Sequence, residues 1–412
     1  MSDATRGAAG RTSPLAGELV GPPGSYIGRR EPFDPEEEAV VPSVGVGPRL
    51  GVEEEFLLLD PVSGSPLARA EQVRRRSRLY RGLGGDEVQH ELLLAQLETA
   101  TPVCRTLPEV GGHLLRMRHV LSEAAAAEGC VLAACAVSPF ADDSRPVPVT
   151  DTPRYHRMHE EAPMLTDEHL VNGLHVHVEI CDEQARVEAL NRIRPWLPLL
   201  VALGAGSPLW RGRDSGFASW RALVVGRWPV SGVPPRFRDA DDYLRRTKEL
   251  VERGLVPDIG QIYWLVRASA RYPTLEVRAC DAQMRADEAV ALAGLIRAVV
   301  TTVLGEAESG LPTPDPSPET LAAAVWHAAR HGLTGDIHDP RDLMPRPAKT
   351  VVCDSLDRVE SALCGSGDQR YVRSALERLL QEGNGAVRLR RILDEAGWPA
   401  VLSHLRDQTQ AL

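Results

Sequence analysis

Gly51–Asp60 reads GVEEEFLLLD, three glutamates running directly into an apolar stretch. As a β-strand, whose side chains alternate between two faces, it sets Val52, Glu54, Phe56 and Leu58 on one side and Glu53, Glu55 and Leu57 on the other. Glu53 and Glu55 then point the same way, about 6.5–7 Å apart, a spacing suited to two neighbouring cations or to gripping a triphosphate through them. A solvated strand face carries the same pattern, so this segment alone leaves both readings open.

Three further segments repeat the arrangement. Asn172–Ile180, NGLHVHVEI, alternates Val176, Val178 and Ile180 with His175, His177 and Glu179. Tyr272–Asp281, YPTLEVRACD, sets Leu275, Val277 and Ala279 opposite Thr274, Glu276, Arg278 and Cys280. Glu98, in LAQLETATP, follows Leu97 and precedes a threonine-proline stop. One H-x-H pair is weak evidence for metal, and a Glu–Arg pair on one face is as readily a surface ion pair. Four β-like segments that each set glutamate or histidine opposite an apolar face point instead to one shared ionisable surface. Oxygen ligands with at most two histidines favour Mg²⁺ or Mn²⁺ over zinc. The sequence has no GxxxxGK[ST] or GxGxxG loop, so metal and arginine would have to hold the phosphates of any nucleotide.

The rest of the chain sets the frame. Its 412 residues are 43% hydrophobic and 25% charged, the composition of a soluble globular protein with one large or two ordinary domains. A net charge of −10 argues against a nucleic-acid-binding surface. No apolar leader follows Met1, and seven scattered cysteines lack any CxxC pair, so the expected setting is the cytoplasm, with no membrane anchor. Residues 1–47 are rich in Gly, Pro, Ser and charge and lack periodicity, which predicts an extension without fixed structure ahead of a compact unit over 48–412. Helices are expected over Glu109–Glu128, from Asp239 onward with Tyr243, Leu244, Leu250 and Val251 as its apolar stripe, and over Asp287–Glu306. Ser309–Pro318, SGLPTPDPSP, reads as a connector to a C-terminal helical region packed on the same domain.

At these residues the sequence resembles the carboxylate-amine ligase family, the bacterial glutamate-cysteine ligase type 2 group, whose fold is related to glutamine synthetase. The likeness runs from about Leu50 to the C-terminus. Its markers appear in order as GVEEEFLLLD, QLETATP, NGLHVHV, SPLWRGRDSGFASWR, RWPVSG, YPTLEVRACD and AARHGL. The resemblance implies an α+β fold: a glutamine-synthetase-like antiparallel sheet with the active site on its concave face and helices packed behind. It implies ATP as co-substrate and Mg²⁺ or Mn²⁺ bridging its phosphates to protein. Position by position, Glu53, Glu55, Glu98 and Glu276 match metal glutamates, and His175 matches a histidine facing the nucleotide phosphates and metal. Arg221 and Arg278 match arginines that meet phosphoryl oxygens or the substrate carboxylate, and His177 and Glu179 share the strand face as candidate substrate contacts.

The implied reaction activates the γ-carboxylate of glutamate as an acyl phosphate. It then joins the carboxylate to the amine of an amino acid, cysteine or another including non-proteinogenic ones, giving a γ-glutamyl dipeptide. The partners are then small molecules, and a homo-oligomer is compatible with this chemistry. Two positions depart from the family tendency: Glu179 replaces a small residue, and Leu265 replaces an aspartate after Trp264. Both bear on the acceptor. Two rivals use the same residues differently: a metal-dependent hydrolase built on the H-x-H and carboxylates, and a ligase-fold binding protein without turnover.

Overall fold

The structure, a computed structural model, describes residues 47–80, 83–84, 87–140 and 146–411. The expected N-terminal extension, apart from Gly47, lies outside the described residues. The main sheet is built from β1 (Leu50–Leu59), β2 (Val88–His90), β3 (Gln96–Ala100), β4 (Val131–Ala133), β5 (Gly173–Glu179), β6 (Val266–Ala268) and β7 (Thr274–Asp281). The helices that matter below are α1 (Leu107–Ala127), α2 (Glu183–Ile193), α3 (Leu197–Gly204), α4 (Trp220–Val225), α5 (Ala240–Glu252), α6 (Ala286–Glu308) and α7 (Gly385–Gln410).

The strands run in the order β6-β7-β5-β1-β3-β2, antiparallel throughout. β1 is central because it is long enough to serve three partners. Its first half pairs with β5, its middle with β3, and its last residues with β4. The quoted pattern explains the layering. Val52 joins Leu174, Val176, Val178, Leu275 and Val277 in a buried apolar layer that α2, α3 and α6 cover, while Phe56 and Leu58 pack with Leu97 and with Leu121 and Ala124 of α1. On the opposite, front face, Leu57 and Leu59 meet Leu389, Val401 and Leu405 of α7. The C-terminal helix thus covers the apolar end of the front face and leaves the Glu53–Glu55 end to charged groups.

α1 starts at a capping box, two residues before the expected Glu109. Thr106 accepts from the Glu109 amide, and the Glu109 carboxylate accepts from the Thr106 amide. Asp239 caps α5 as its sequence predicts, accepting from the Asp242 amide at 2.8 Å, but Leu244 of the predicted stripe is 52% exposed. α6 is long and apolar enough to cross a membrane by composition, yet it is a core helix with most of its residues buried. Ser309–Ser317 forms the connector, and the chain beyond Pro318 is mainly helical.

Simple alternation fails once, in β7. Its register against β5 shifts between Val277 and Cys280, the signature of a bulge. Cys280 therefore turns into the core beside Leu200 and Gly204 instead of sharing the face of Glu276 and Arg278. Asp281, paired across the sheet with Gly173, comes round to the front face.

Candidate active site

Cross-strand pairing sets the front-face charges side by side. Arg267 lies opposite Glu276, Glu276 opposite His177, Glu53 opposite His175, and Glu55 opposite Glu98. Five strands thus place one continuous row of ionisable groups on the sheet. His175 Nδ1 is 3.1 Å from Glu53 Oε2, His175 Nε2 is 3.6 Å from Glu55, and His177 Nε2 is 3.3 Å from Glu53. His177 Nδ1 is 2.9 Å from the Thr274 hydroxyl. Glu276 accepts from Arg267 at 2.7 and 3.1 Å and also from Arg278. Arg278 Nη1 lies 3.3 Å from His175 Nδ1.

Arg221 enters from the second residue of α4 and is buried. Among the described residues its guanidinium donates only to the Arg278 carbonyl, at 3.3 and 3.4 Å, and its buried Nε has no hydrogen-bond partner. Gly173 makes this possible: a Cβ there would stand 2.2 Å from Arg221 Nη2 and 2.9 Å from His175 Nε2. The Gly173 amide donates to Glu55 at 2.6 Å.

The buried charges divide into two groups. Burial raises the Glu53 carboxyl, but the charge of His177 and hydrogen bonds from both histidines outweigh it and hold it well below the usual range. Burial of Glu276 is likewise outweighed by Arg267 and Arg278, which keep it strongly depressed. Glu55 goes the other way: burial, and then the charge of Glu91, lift it to about 8 against the pull of Arg221 and Arg278. Burial followed by the charges of Glu53, Glu91 and Glu55 raises Glu98 well above its ordinary value. Burial and Arg278 push His175 down to about 3, whereas Glu53 overcomes burial to raise His177.

These residues fit divalent cations. Glu53, His175 and Glu276 can each offer a ligand atom within 4.8 Å of the others, and so can Glu55, Glu98 and His175. His175 Nε2 and His177 Nε2 are buried and meet only loosely aligned carboxylate oxygens, of Glu55 at 3.6 Å and of Glu53 at 3.3 Å. A buried imidazole nitrogen of His175 beside Glu55 and Glu98, carboxyls that burial pushes toward their protonated form, is what a hard cation would satisfy.

The structure brings together eight of the nine residues singled out in the sequence. Glu179 stands apart: it lies further along β5, its carboxylate engaged by Arg49. Leu265, the other departure, is buried in the main core. Four residues at or behind the site were not singled out. Arg267 alternates with buried Val266 and Ala268, a three-residue strand too short to announce itself. Glu91 immediately precedes the apolar run after β2, and burial raises its carboxyl above the usual range. Asp281 reaches the front face only through the bulge. Glu54 faces the back, as alternation requires, where Arg118 of α1 donates to it at 2.9 and 2.5 Å and to the Gln283 and Met284 carbonyls at 2.7 and 2.8 Å. Arg118, on the same helical face as the apolar Leu114 and Leu121 in the LLRMRHVL stretch, was the available signal.

The model of glutamate-cysteine ligase family 2 (GCS2) matches residues 49–403. The chain belongs to this family. A protein of Mycobacterium sp. (strain KMS), provisionally named glutamate–cysteine ligase 2-2, is 42% identical over 83% of this chain and 93% of its own length. One from Salinispora arenicola, provisionally named glutamate–cysteine ligase 2, is 42% identical over 88% of this chain and 95% of its own. Among solved structures, the glutamate–cysteine ligase of Francisella tularensis in complex with AMP superposes with a TM-score of 0.63 at 11% identity, covering 90% of each chain. A bifunctional glutathione synthetase from Pasteurella multocida gives 0.63 at 15% identity over 89% of this chain and 52% of its own. At such identities the likeness establishes the fold, the α+β architecture expected from the sequence. Family membership makes the chain an ATP-dependent ligase that forms an amide bond, and sets aside both the hydrolase and the non-enzymatic readings.

Proposed function

We propose that this family member phosphorylates the γ-carboxylate of glutamate with ATP and passes the acyl group to the amine of an amino acid, giving a γ-glutamyl dipeptide in the cytoplasm. The observation that carries the reading is the front-face row, in which Arg278 and Arg221 stand among buried carboxylates and histidines with hydrogen-bonding capacity to spare. Glu53, Glu55, Glu98, Glu276 and His175 would hold Mg²⁺ or Mn²⁺, which when bound neutralises phosphate charge and polarises the transferring group. A γ-carboxylate oxygen attacks the γ-phosphorus and ADP leaves. The acceptor amine, having lost a proton, then displaces phosphate from the acyl carbon. Arg221, loosely held at its tip, is placed to bind the glutamate carboxylate or the phosphoryl oxygens. Arg278, already shared between Glu276 and His175, offers pre-placed positive charge where negative charge develops.

Leu265 is a core residue and Glu179 is paired with Arg49, so neither supports a free carboxylate for the acceptor ammonium. The acceptor is therefore cysteine or another amino acid, chosen by other groups. The test is incubation with ATP, Mg²⁺, glutamate and a panel of amino acids, measuring ADP and product mass. ADP release should require both glutamate and one acceptor, and the product mass should equal their sum less one water. ADP release that ignores glutamate would overturn the donor assignment.

A further inference from the structure

Asp281 is fully buried at the end of β7, and three donors converge on its carboxylate. The Gly206 amide donates at 2.9 Å and the Ser207 hydroxyl at 2.7 Å to Oδ2, while the Ser219 hydroxyl donates at 2.8 Å to Oδ1. Ser207 and Ser219 are the two ends of the segment SPLWRGRDSGFAS, which leaves the sheet region and returns to start α4. Both hydroxyls carry a second duty. Ser207 Oγ accepts from the Arg221 amide at 3.1 Å, and Ser219 Oγ caps α4 by accepting from the Ala222 amide at 3.3 Å.

Arg221 is thus anchored at its root and barely held at its tip. Its amide and the helix start that carries it are tied through two serines to one carboxylate, whereas the guanidinium makes only two long bonds. A buried carboxylate suits this position because it accepts from all three donors. An asparagine of the same shape would turn an NH₂ group against one of them. The negative charge of Asp281 also offsets the cost of burying Arg221, which burial disfavours and Asp281 favours.

We propose that Asp281 is a positioning residue: through Ser207 and Ser219 it fixes the start of α4 and so aims the Arg221 guanidinium at the anionic substrate. This rests on the reading of Arg221 as a substrate contact. The experiment is a cycle of Asp281→Asn, Arg221→Lys and the double variant, reading kcat and KM for glutamate separately, beside circular dichroism and melting temperature. Asp281→Asn should lower kcat/KM by about 10- to 100-fold on the same parameter that Arg221→Lys changes, because a displacement near 1 Å has that scale of effect. In the Arg221→Lys background it should then cost less than about threefold more. Losses that simply multiply would overturn the proposal, as would an Asp281→Asn enzyme that melts earlier but keeps wild-type kcat/KM at a permissive temperature. Full activity in Arg221→Lys would instead strike the reading of Arg221 itself. If Asp281→Asn fails to fold, Ser219→Ala, which removes one of the three donors and the cap, takes its place in the same cycle with the same outcomes.

Discussion

Gly173→Ala should leave the protein folded and cut its activity about a hundredfold. The added Cβ would stand 2.2 Å from Arg221 Nη2, 2.9 Å from Arg221 Cζ and 2.9 Å from His175 Nε2. To restore an ordinary 3.4 Å contact the guanidinium must retreat by about 1.2 Å and the imidazole by about 0.5 Å. The stability cost is small for two reasons. Gly173 does not occupy the left-handed region, so alanine fits its backbone and gains roughly 0.4–1 kcal/mol by restricting the unfolded chain. Most of the yielding falls on the far end of a flexible side chain held by bonds of 3.3 and 3.4 Å, the buried His175 ring shifting by the smaller amount. The catalytic cost is large, since misplacing a reacting contact by about 1 Å costs on the order of 10²-fold, or about 2.7 kcal/mol in transition-state free energy. The assay is kcat/KM for glutamate-dependent ADP release, with melting temperature measured on the same samples. A variant within threefold of wild type would show that the reaction does not use Arg221 where the structure holds it.

Glu276→Gln should suppress ligation by orders of magnitude with the fold kept, because glutamine retains the shape but not the charge a hard cation needs; near wild-type ADP release would remove this strand from the metal site. Arg118→Ala should destabilise by about 3–5 kcal/mol by stranding Glu54 in the core, read as a large loss in a urea melt, while Glu54→Leu with Arg118→Met should cost much less. In chelator-treated protein, melting temperature should fall as pH rises from about 7 toward 8, above the range in which the depressed His175 adds stability with rising pH. Glu55, whose folded value of about 8 exceeds its ordinary 4.5, contributes stability present below that ordinary value and lost as pH rises through the folded one. Glu98 acts in the same direction, and Glu53 and Glu276, depressed, lose their contribution only on the acid side. Glu55→Gln should flatten the fall, and an unchanged slope would refute the assignment. Deleting residues 1–45 should leave melting temperature and turnover close to wild type, since the family match begins only at residue 49; a large loss of either would show that the segment packs on the enzyme.

What could be read in the sequence is what a period of two reveals. Alternation in GVEEEFLLLD, NGLHVHVEI and YPTLEVRACD assigned Glu53, Glu55, His175, His177, Glu276 and Arg278 to the polar side of their strands, and the structure gives those strands one common front face. Alternation says nothing of which strand lies beside which. The pairing of Arg267 with Glu276 depends on β6 docking at the edge of β7, and its three residues hold no pattern long enough to detect. It also fails wherever one residue is inserted, which is why Cys280 was placed on the wrong face and Asp281 was overlooked. Glu179 shows the converse limit. It lies on the predicted strand, yet the strand end brings it to Arg49, a partner 130 residues away, instead of to the other front-face ionisable groups.

The charge balance of the front face explains why these residues form a site and not a set of ion pairs. Glu53, Glu55, Glu91, Glu98 and Glu276 share a region where Arg154, Arg221, Arg267 and Arg278 are the nearby guanidinium groups, so carboxylates outnumber them by one. The guanidiniums are also unevenly spread: Arg267 and Arg278 both donate to the carboxylate of Glu276. Glu53 draws on the histidines, and Glu55, Glu91 and Glu98 are left to retain protons in a buried setting at pH values where carboxylates are normally ionised. A sheet built for stability alone would gain by replacing them with apolar residues, as β1 itself does from Phe56 onward. If a cation displaces these protons, as the proposed function requires, the freed carboxylates become its ligand set. On that view Arg267 keeps Glu276 ionised in advance of loading, and Arg278, sharing the same carboxylate, is the guanidinium that a cation at Glu276 would release toward phosphate.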